Sequence, residues 1–457
     1  MLIKNGTVVT SKETRVTDIL VEDGLIKEIG HNISFDGETI DATGLYVLPG
    51  AIDVHTHFDL DVGIAVATDD FYTGSIAAAH GGTTTIVDHM GFGPKGCNLH
   101  HQFNAYMKKA ERAVIDYSFH GVVQHIDDDI IEEIAELKAK GISSFKFYMT
   151  YGYMLDDYSI FKLLTKAKEL DIMITFHPEN DGVIKYLRED FGKKGLLTAE
   201  YHPKSRPEEC EAEAISRVLK MAKIIEDVNI YVVHLSNNMA MEEVEIARKN
   251  GYKKLFVETC PQYLTLDDSL YKGDEGLKYI MSPPLRDKKN NKLLINAILD
   301  GKIQTIGTDH CPFNYELEKQ QGKADFRDCP NGAPGVETRP ILMYSELVLK
   351  HGLSMNKYVD LISTNPAKLF GMYPKKGEIA VGSDADFFLI NSSSNQMITH
   401  KSLHENVDYT PYEGIKTSGE VVLTISRGEV IVKENNLFAK AGRGQFIKRN
   451  NPIIDLK

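Results

Sequence analysis

The chain has 457 residues, with 52 Lys plus Arg against 65 Asp plus Glu and a formal charge of -13. That length accommodates one large α/β barrel with an accessory domain, and that charge disfavours nucleic acid or an anionic membrane as the main partner and favours a small-molecule substrate. Cys97, Cys210, Cys260, Cys311 and Cys329 are odd in number, dispersed and without CxxC spacing, which argues against a disulfide framework or a thiolate zinc site.

The N-terminus, "MLIKNGTVVTSKE", lacks an apolar signal core, and no run approaches the roughly 20 apolar residues of a membrane span, so a soluble cytoplasmic protein is expected. From Met1 to Gly50 the chain reads as short β-prone runs broken by turns, "LIKNGTVV", "DILVEDGLIKEIG" and "ETIDATGLYVL", with Asn5-Gly6 as a hairpin signal. The same texture returns after Lys376 in "GEIAVGSDADFFLI" and "VVLTISRGEVIV". Residues 1–50 and 376–457 are therefore expected to form two halves of one small β-sandwich domain.

Between them, over residues 51–375, apolar strands alternate with helical segments, the signature of parallel βαβ units. Eight strand candidates appear in order: "GAIDVHTH", "TTTIVDHM", "DYSFHGVV", "SSFKFYM", "IMITFHPE", "NIYVVHLS", "KLFVETCP" and "IQTIGTDH". Runs such as "DDDIIEEIAELKAKG" and "EAEAISRVLKMAKIIED" carry apolar residues at helical spacing. The predicted fold is α/β, a (β/α)₈ barrel, in which catalytic groups come from the C-terminal ends of strands.

His55 and His57 end the first of these strands, and a period of two places both on one face. His177 ends the fifth strand, His234 the sixth and Asp309 the eighth, so a closed barrel brings all five to one rim. Imidazoles with a carboxylate suit zinc or a related transition metal. Four histidines are too many for a single centre with an open position, which favours a site of two divalent ions. Two such ions need an anionic bridge, yet the fourth strand offers Lys146 in "SSFKFYM" and no acid. A lysine in a partly dry, cationic pocket has a depressed pKa, and its neutral amine can add CO2 to give a carbamate. That anion has two oxygens, and it can bridge two ions.

The strings "DVHTHF", "SSFKFYMTYG", "HPEN", "VHLSN", "ETCPQYL", "SPPLR", "TDHCPF" and "CPNGAPGVE", in order over nearly the whole chain, resemble the hydantoinase and dihydropyrimidinase branch of the cyclic amidohydrolases. The resemblance implies a metal-dependent cyclic amidase built on an amidohydrolase barrel. It implies that His55, His57 and Asp309 hold one ion, that His177 and His234 hold the other, and that carbamylated Lys146 bridges them. Tyr151 matches the tyrosine that polarises the scissile carbonyl, and Asp309 the general base that moves a proton from water to the leaving ring nitrogen. Ser282 and Asn331 match positions whose main chain holds the imide edge of the substrate. A homotetramer is implied as well.

Related dihydroorotases and allantoinases typically follow the HxH pair with an arginine that binds a polar substrate group. This chain reads "HTHFDLDVGIAVATDDF" there, with Leu60, Val62 and Ile64 in place of any arginine. The expected reaction is hydrolysis of 5-substituted hydantoins, D and aromatic, to N-carbamoyl amino acids. The alternative is a dihydropyrimidinase opening dihydrouracil or dihydrothymine. A non-catalytic adaptor of the same fold would lack a full ligand set, whereas all six positions are filled here.

Overall fold

The computed structural model describes residues 1–226 and 228–456; Asp227, the last residue of one predicted helical run, lies outside them. The N-terminal strands are β1 (Leu2–Val9), β2 (Thr14–Glu22), β3 (Leu25–Gly30), β4 (Thr39–Asp41) and β5 (Tyr46–Pro49). Next come β6 (Ala51–Thr56), β7 (Thr83–His89), β8 (Asp116–Val122), β9 (Ser144–Tyr148), β10 (Met173–His177), β11 (Asn229–Val232), β12 (Leu255–Thr259) and β13 (Thr305–Ile306). The C-terminal set is β14 (Phe387–Met397), β15 (Lys416–Ser426), β16 (Glu429–Lys433) and β17 (Asn436–Leu437).

The two chain ends make one nine-stranded mixed sheet in the order β17-β16-β15-β14-β5-β1-β2-β3, with β4 beside β1. Its halves join where β14 runs antiparallel to β5, pairing Phe387 with Pro49 and Ile390 with Tyr46. Alternating residues from both halves, among them Ile3, Val8, Ile19, Val47, Phe387 and Leu389, share one apolar core. A second tie is polar. Lys376 is buried with its ammonium 2.7 Å from Asp116 of β8, 2.9 Å from Asp384 and 2.6 Å from Asp386.

Strands β6 to β13 form an eight-stranded sheet in chain order. Every residue in these strands is buried, as their near-continuous apolar character requires when helices cover the outside and side chains fill the inside. The intervening helices start on sequence-encoded caps: Asp127 accepts from the Ile130 N–H, Asp156 from Ser159, and Asn237 from Ala240. The sheet closes through a single parallel bridge, Thr56 to His310, rather than a full ladder. The His57 amide donates to the His310 carbonyl and the Asp309 amide to the His55 carbonyl, each at 2.9 Å. These two bonds fix the last strand's end against the first.

Candidate active site

His55 is the penultimate residue of β6 and His57 lies just past its end. Their Nε2 atoms converge on one oxygen, each 3.0 Å from Asp309 Oδ1. Gly307 makes this approach possible: a Cβ there would stand 2.4 Å from Glu258 Oε2 and 2.9 Å from His55 Cβ. Behind His55, Glu258 Oε1 lies 2.5 Å from Nδ1, and as a carboxylate can only accept, Nδ1 carries the proton. Nε2 faces Asp309, so it is the Nε2 proton that a metal would displace, while Glu258 keeps the proton on Nδ1.

The second pair is arranged the same way. Glu179 Oε2 takes the Nε2–H of His177 at 2.6 Å, which leaves Nδ1 bare, 3.0 Å from His234 Nε2. Burial pulls His177 below its ordinary pKa, and His234 well below. Glu179 is held down near 2, because Arg206 and His177 outweigh the upward push of burial. His55 reaches about 9 despite burial, through Glu258 and Asp309, whereas burial takes His57 to about 4.

Lys146 is the middle residue of β9, paired in register with Thr175, while Tyr148 pairs with His177. It starts one pleat deeper than His177, and its long side chain makes up the difference, placing Nζ 3.2 Å from His55 Nε2. The residue is 1% exposed. No carboxylate lies within ion-pair distance of Nζ among the described residues. Burial lowers its pKa to about 8, against the pull of Asp309 and Glu258.

Tyr151, His234 and Asp309 share a further property: their φ angles are 71°, 39° and 56°. Left-handed backbone costs a non-glycine residue of order 1–3 kcal/mol, and such strain concentrates where geometry is held for function. Tyr151, Ser282 and Asn331 line one cavity of about 800 Å³ together with His57, Lys146, His177, His234 and Asp309. All nine predicted site residues are thus drawn together, His55 through its contacts with Asp309 and Lys146.

Burial raises the Tyr151 hydroxyl above its ordinary pKa, so it remains a proton donor at neutral pH. Cys311 and Cys329 line the cavity and Cys260 is buried beside it; burial raises all three thiols, which fits packing and not nucleophilic attack. All five cysteines are free.

The donor set fits a metal centre. His55, His234 and Asp309 offer ligand atoms within 4.8 Å of one another, as do His55, His57 and His89. Carboxylates on the far nitrogens of His55 and His177 orient rings in the manner of metal-bound imidazoles. These buried histidine clusters are consistent with a binuclear site. Sequence reasoning left out Glu258, Glu179 and His89. The first two stand in the quoted strings "ETCP" and "HPEN", where an acid beside a buried strand end was the available signal.

A parallel barrel with its polar cluster at the C-terminal strand ends defines a hydrolase of the amidohydrolase type, and residues 46–431 match the Amidohydrolase family. The chain is 48% identical over 452 residues to a D-phenylhydantoinase of Escherichia coli O7:K1 (strain IAI39 / ExPEC), covering 98% of each. It superposes on the D-hydantoinase of a Bacillus sp. AR9 with a TM-score of 0.96 at 43% identity, covering 98% of this chain and 99% of that one. For the dihydropyrimidinase of Brevibacillus agri NCHU1002 the values are 0.96 and 42%, with 99% of both chains covered. The chain belongs to the hydantoinase and dihydropyrimidinase family of amidohydrolases and is a cyclic amidohydrolase of that type.

Proposed function

We propose that the enzyme hydrolyses 5-substituted hydantoins, preferring a D-configured aromatic substituent, to N-carbamoyl amino acids. The observation that carries this reading is the cavity itself. Asp309, His57, His177 and His234 line it, and so do Leu60, Val62 and Ile64, in the stretch just after His57 where related dihydroorotases carry an arginine. Val62 and Ile64 are also 40% and 53% exposed, apolar surface that a bulky substituent would cover.

His55, His57 and Asp309 would hold one divalent ion and His177 and His234 a second, zinc being the best match for this donor set, with Lys146 as carbamate between them. Bound there, two dications would lower the pKa of water and draw electron density from the amide carbonyl. Asp309, kept ionised by His55 and His57 against the effect of burial, accepts the proton of the attacking water and returns it to the leaving ring nitrogen. The Tyr151 hydroxyl donates to the carbonyl oxygen as charge grows there. Main-chain groups at Ser282 and Asn331 hold the imide edge. A cytoplasmic homotetramer belongs to the same reading, since Tyr158, Tyr186 and Ile224 leave apolar surface on the outer helices.

Solved structures named for a D-hydantoinase and for a dihydropyrimidinase superpose with the same TM-score of 0.96, so kinetics decides the substrate. The test ranks kcat/KM for phenylhydantoin, hydantoin, dihydrouracil, allantoin and dihydroorotate on metal-loaded enzyme. Phenylhydantoin should lead. Dihydrouracil in first place would establish the dihydropyrimidinase alternative, and dihydroorotate or allantoin would overturn both.

A further inference from the structure

Besides the apolar loop, the cavity is lined by four cations, Lys185, Arg188, Arg206 and Arg327. Lys185 and Arg188 lie on the helix Asp181–Lys193, which follows β10, and Ile184 and Arg188 share its inner face at a spacing of four. Arg327 belongs to the turn Phe326–Asp328, just ahead of the Asn331 loop.

Most of this charge is neutralised locally. Lys185 is 2.6 Å from Asp181, Arg206 is 2.5 Å from Glu179, and Arg327 holds Asp325 through Nε at 2.9 and 3.0 Å. Arg188 is the exception, with no ion pair among the described residues. Its Nη2 donates to the Arg327 carbonyl at 2.9 Å, Arg327 Nη1 donates back to the Arg188 carbonyl at 3.1 Å, and its guanidinium lies 5.6 Å from the Phe326 ring centre.

This reciprocal clasp holds two like charges together, and the helix is shaped to allow it. A Cβ at Gly192 would stand 2.3 Å from Arg327 Nη1. Burial and the neighbouring Arg206 and Arg327 lower the Arg188 pKa to about 10, which still leaves it charged at neutral pH. Asp325, already held by Arg327, offsets this charge only from a distance, and a half-buried, oriented guanidinium without a direct ion pair is costly unless an anion completes it. In a chain of net charge -13, no general attraction would supply one. Arg188 lines the cavity, so an anion carried by the ligand can reach it.

We propose that the cavity takes hydantoins whose 5-substituent ends in an anionic group set off from the ring by connecting carbons, unlike the ring-bound carboxylate of dihydroorotate, a carboxylate being the class that fits, with Arg188 as its partner and Leu60, Val62 and Ile64 against those carbons. This narrows the hydantoin reading above and rests on it. The hydrogen-bond donors that Arg188 leaves free suit a planar, two-oxygen acceptor better than a lone hydroxyl.

The test uses metal-loaded enzyme and two isosteric pairs: 5-(4-carboxyphenyl)hydantoin against its 4-carbamoyl analogue, and 5-(2-carboxyethyl)hydantoin against its amide. Dissociation constants from equilibrium titration and kcat/KM are read for both. At low salt one or both carboxylates should be favoured by about tenfold or more, the worth of a charge-assisted hydrogen bond. The advantage should shrink in 0.5 M salt, a test concentration on the order of those that screen exposed charge. Arg188→Met should abolish it, and Arg188→Lys should retain part.

If the amides are hydrolysed but neither carboxylate is favoured, or the preference survives Arg188→Met, this inference is wrong and the hydantoinase reading stands. If no ring is opened at all, the hydantoinase reading fails, and the binding titration alone still decides the anion site.

Discussion

The imidazole of His177 donates from Nε2 to Glu179 at 2.6 Å, and the same carboxylate oxygen takes Arg206 Nη1 at 2.5 Å. Glu179 thus sets which nitrogen of His177 is free, and Arg206 sets where Glu179 stands. The guanidinium also lies 5.4 Å from the centre of the Tyr151 ring, so one buried unit touches both a candidate ligand and the candidate carbonyl donor.

Glu179→Gln should therefore act through His177. The amide can present its NH2 to the ring, which frees the tautomer, and Arg206 loses its anionic partner. Affinity for the second ion should fall by about 10- to 100-fold, as when other orienting partners of metal-bound histidines are removed. Competition against a chelator with a metal-sensitive dye measures this. Unchanged affinity would reduce Glu179 to a structural ion pair.

The strands were legible because buried parallel strands are continuous apolar runs, and His55, His57, His177, His234 and Asp309 because each stands at or just beyond such a run. Lys146 was conspicuous as a cation inside one. Glu258 supports His55 across 203 positions, and Arg188 clasps Arg327 across 139. Pairings over such distances depend on register and side-chain reach, and no local pattern encodes them. The closing contact Thr56 to His310 was equally invisible, since a single bridge leaves no strand-length signature.

If Lys146 carries the proposed carbamate, Lys146→Ala should lose most activity and bind less metal, because the two carboxylates that meet His55 already have other places, Asp309 at Nε2 and Glu258 behind the ring at Nδ1. A short carboxylic acid such as propionate should partly restore both in the variant and leave the wild type unaffected. Intact-mass spectrometry under native conditions gives an independent reading. Fully active, metal-loaded enzyme with an unmodified Lys146 would refute the carbamate.

The pH dependence of stability should carry a signature of Glu405. It is buried, with Oε1 accepting the Glu337 amide at 3.3 Å and lying 3.7 Å from His310 Nδ1. Burial, aided by Glu337 and Asp69 against the opposing effect of His310, raises its pKa from 4.5 to about 8. Between those values the folded state binds the extra proton, so this group's contribution to stability is complete below pH 4.5 and is lost as pH rises through about 8. Glu405→Gln should flatten the decline of Tm over that window while leaving Tm at low pH nearly unchanged. An identical pH profile in the variant would show that Glu405 is ionised in the folded protein.

Tyr151 and Asp309 separate two effects that the cavity superimposes. The Tyr151 hydroxyl, held protonated by burial, can bind the carbonyl oxygen more tightly in the transition state than in the ground state. Tyr151→Phe removes only that donor, and kcat should fall by roughly 10²- to 10³-fold, the cost of one such hydrogen bond. Metal content and Tm should hold, because the ring still packs and the left-handed backbone at φ 71° is unchanged. Asp309→Asn should differ in kind: its oxygen meets both His55 Nε2 and His57 Nε2 at 3.0 Å, so in the proposed mechanism the substitution would alter metal affinity as well as the proton path. Metal analysis beside single-turnover kinetics distinguishes them. A Tyr151→Phe enzyme with near wild-type kcat would assign Tyr151 to packing and leave the charge on the carbonyl oxygen to the metal centre alone.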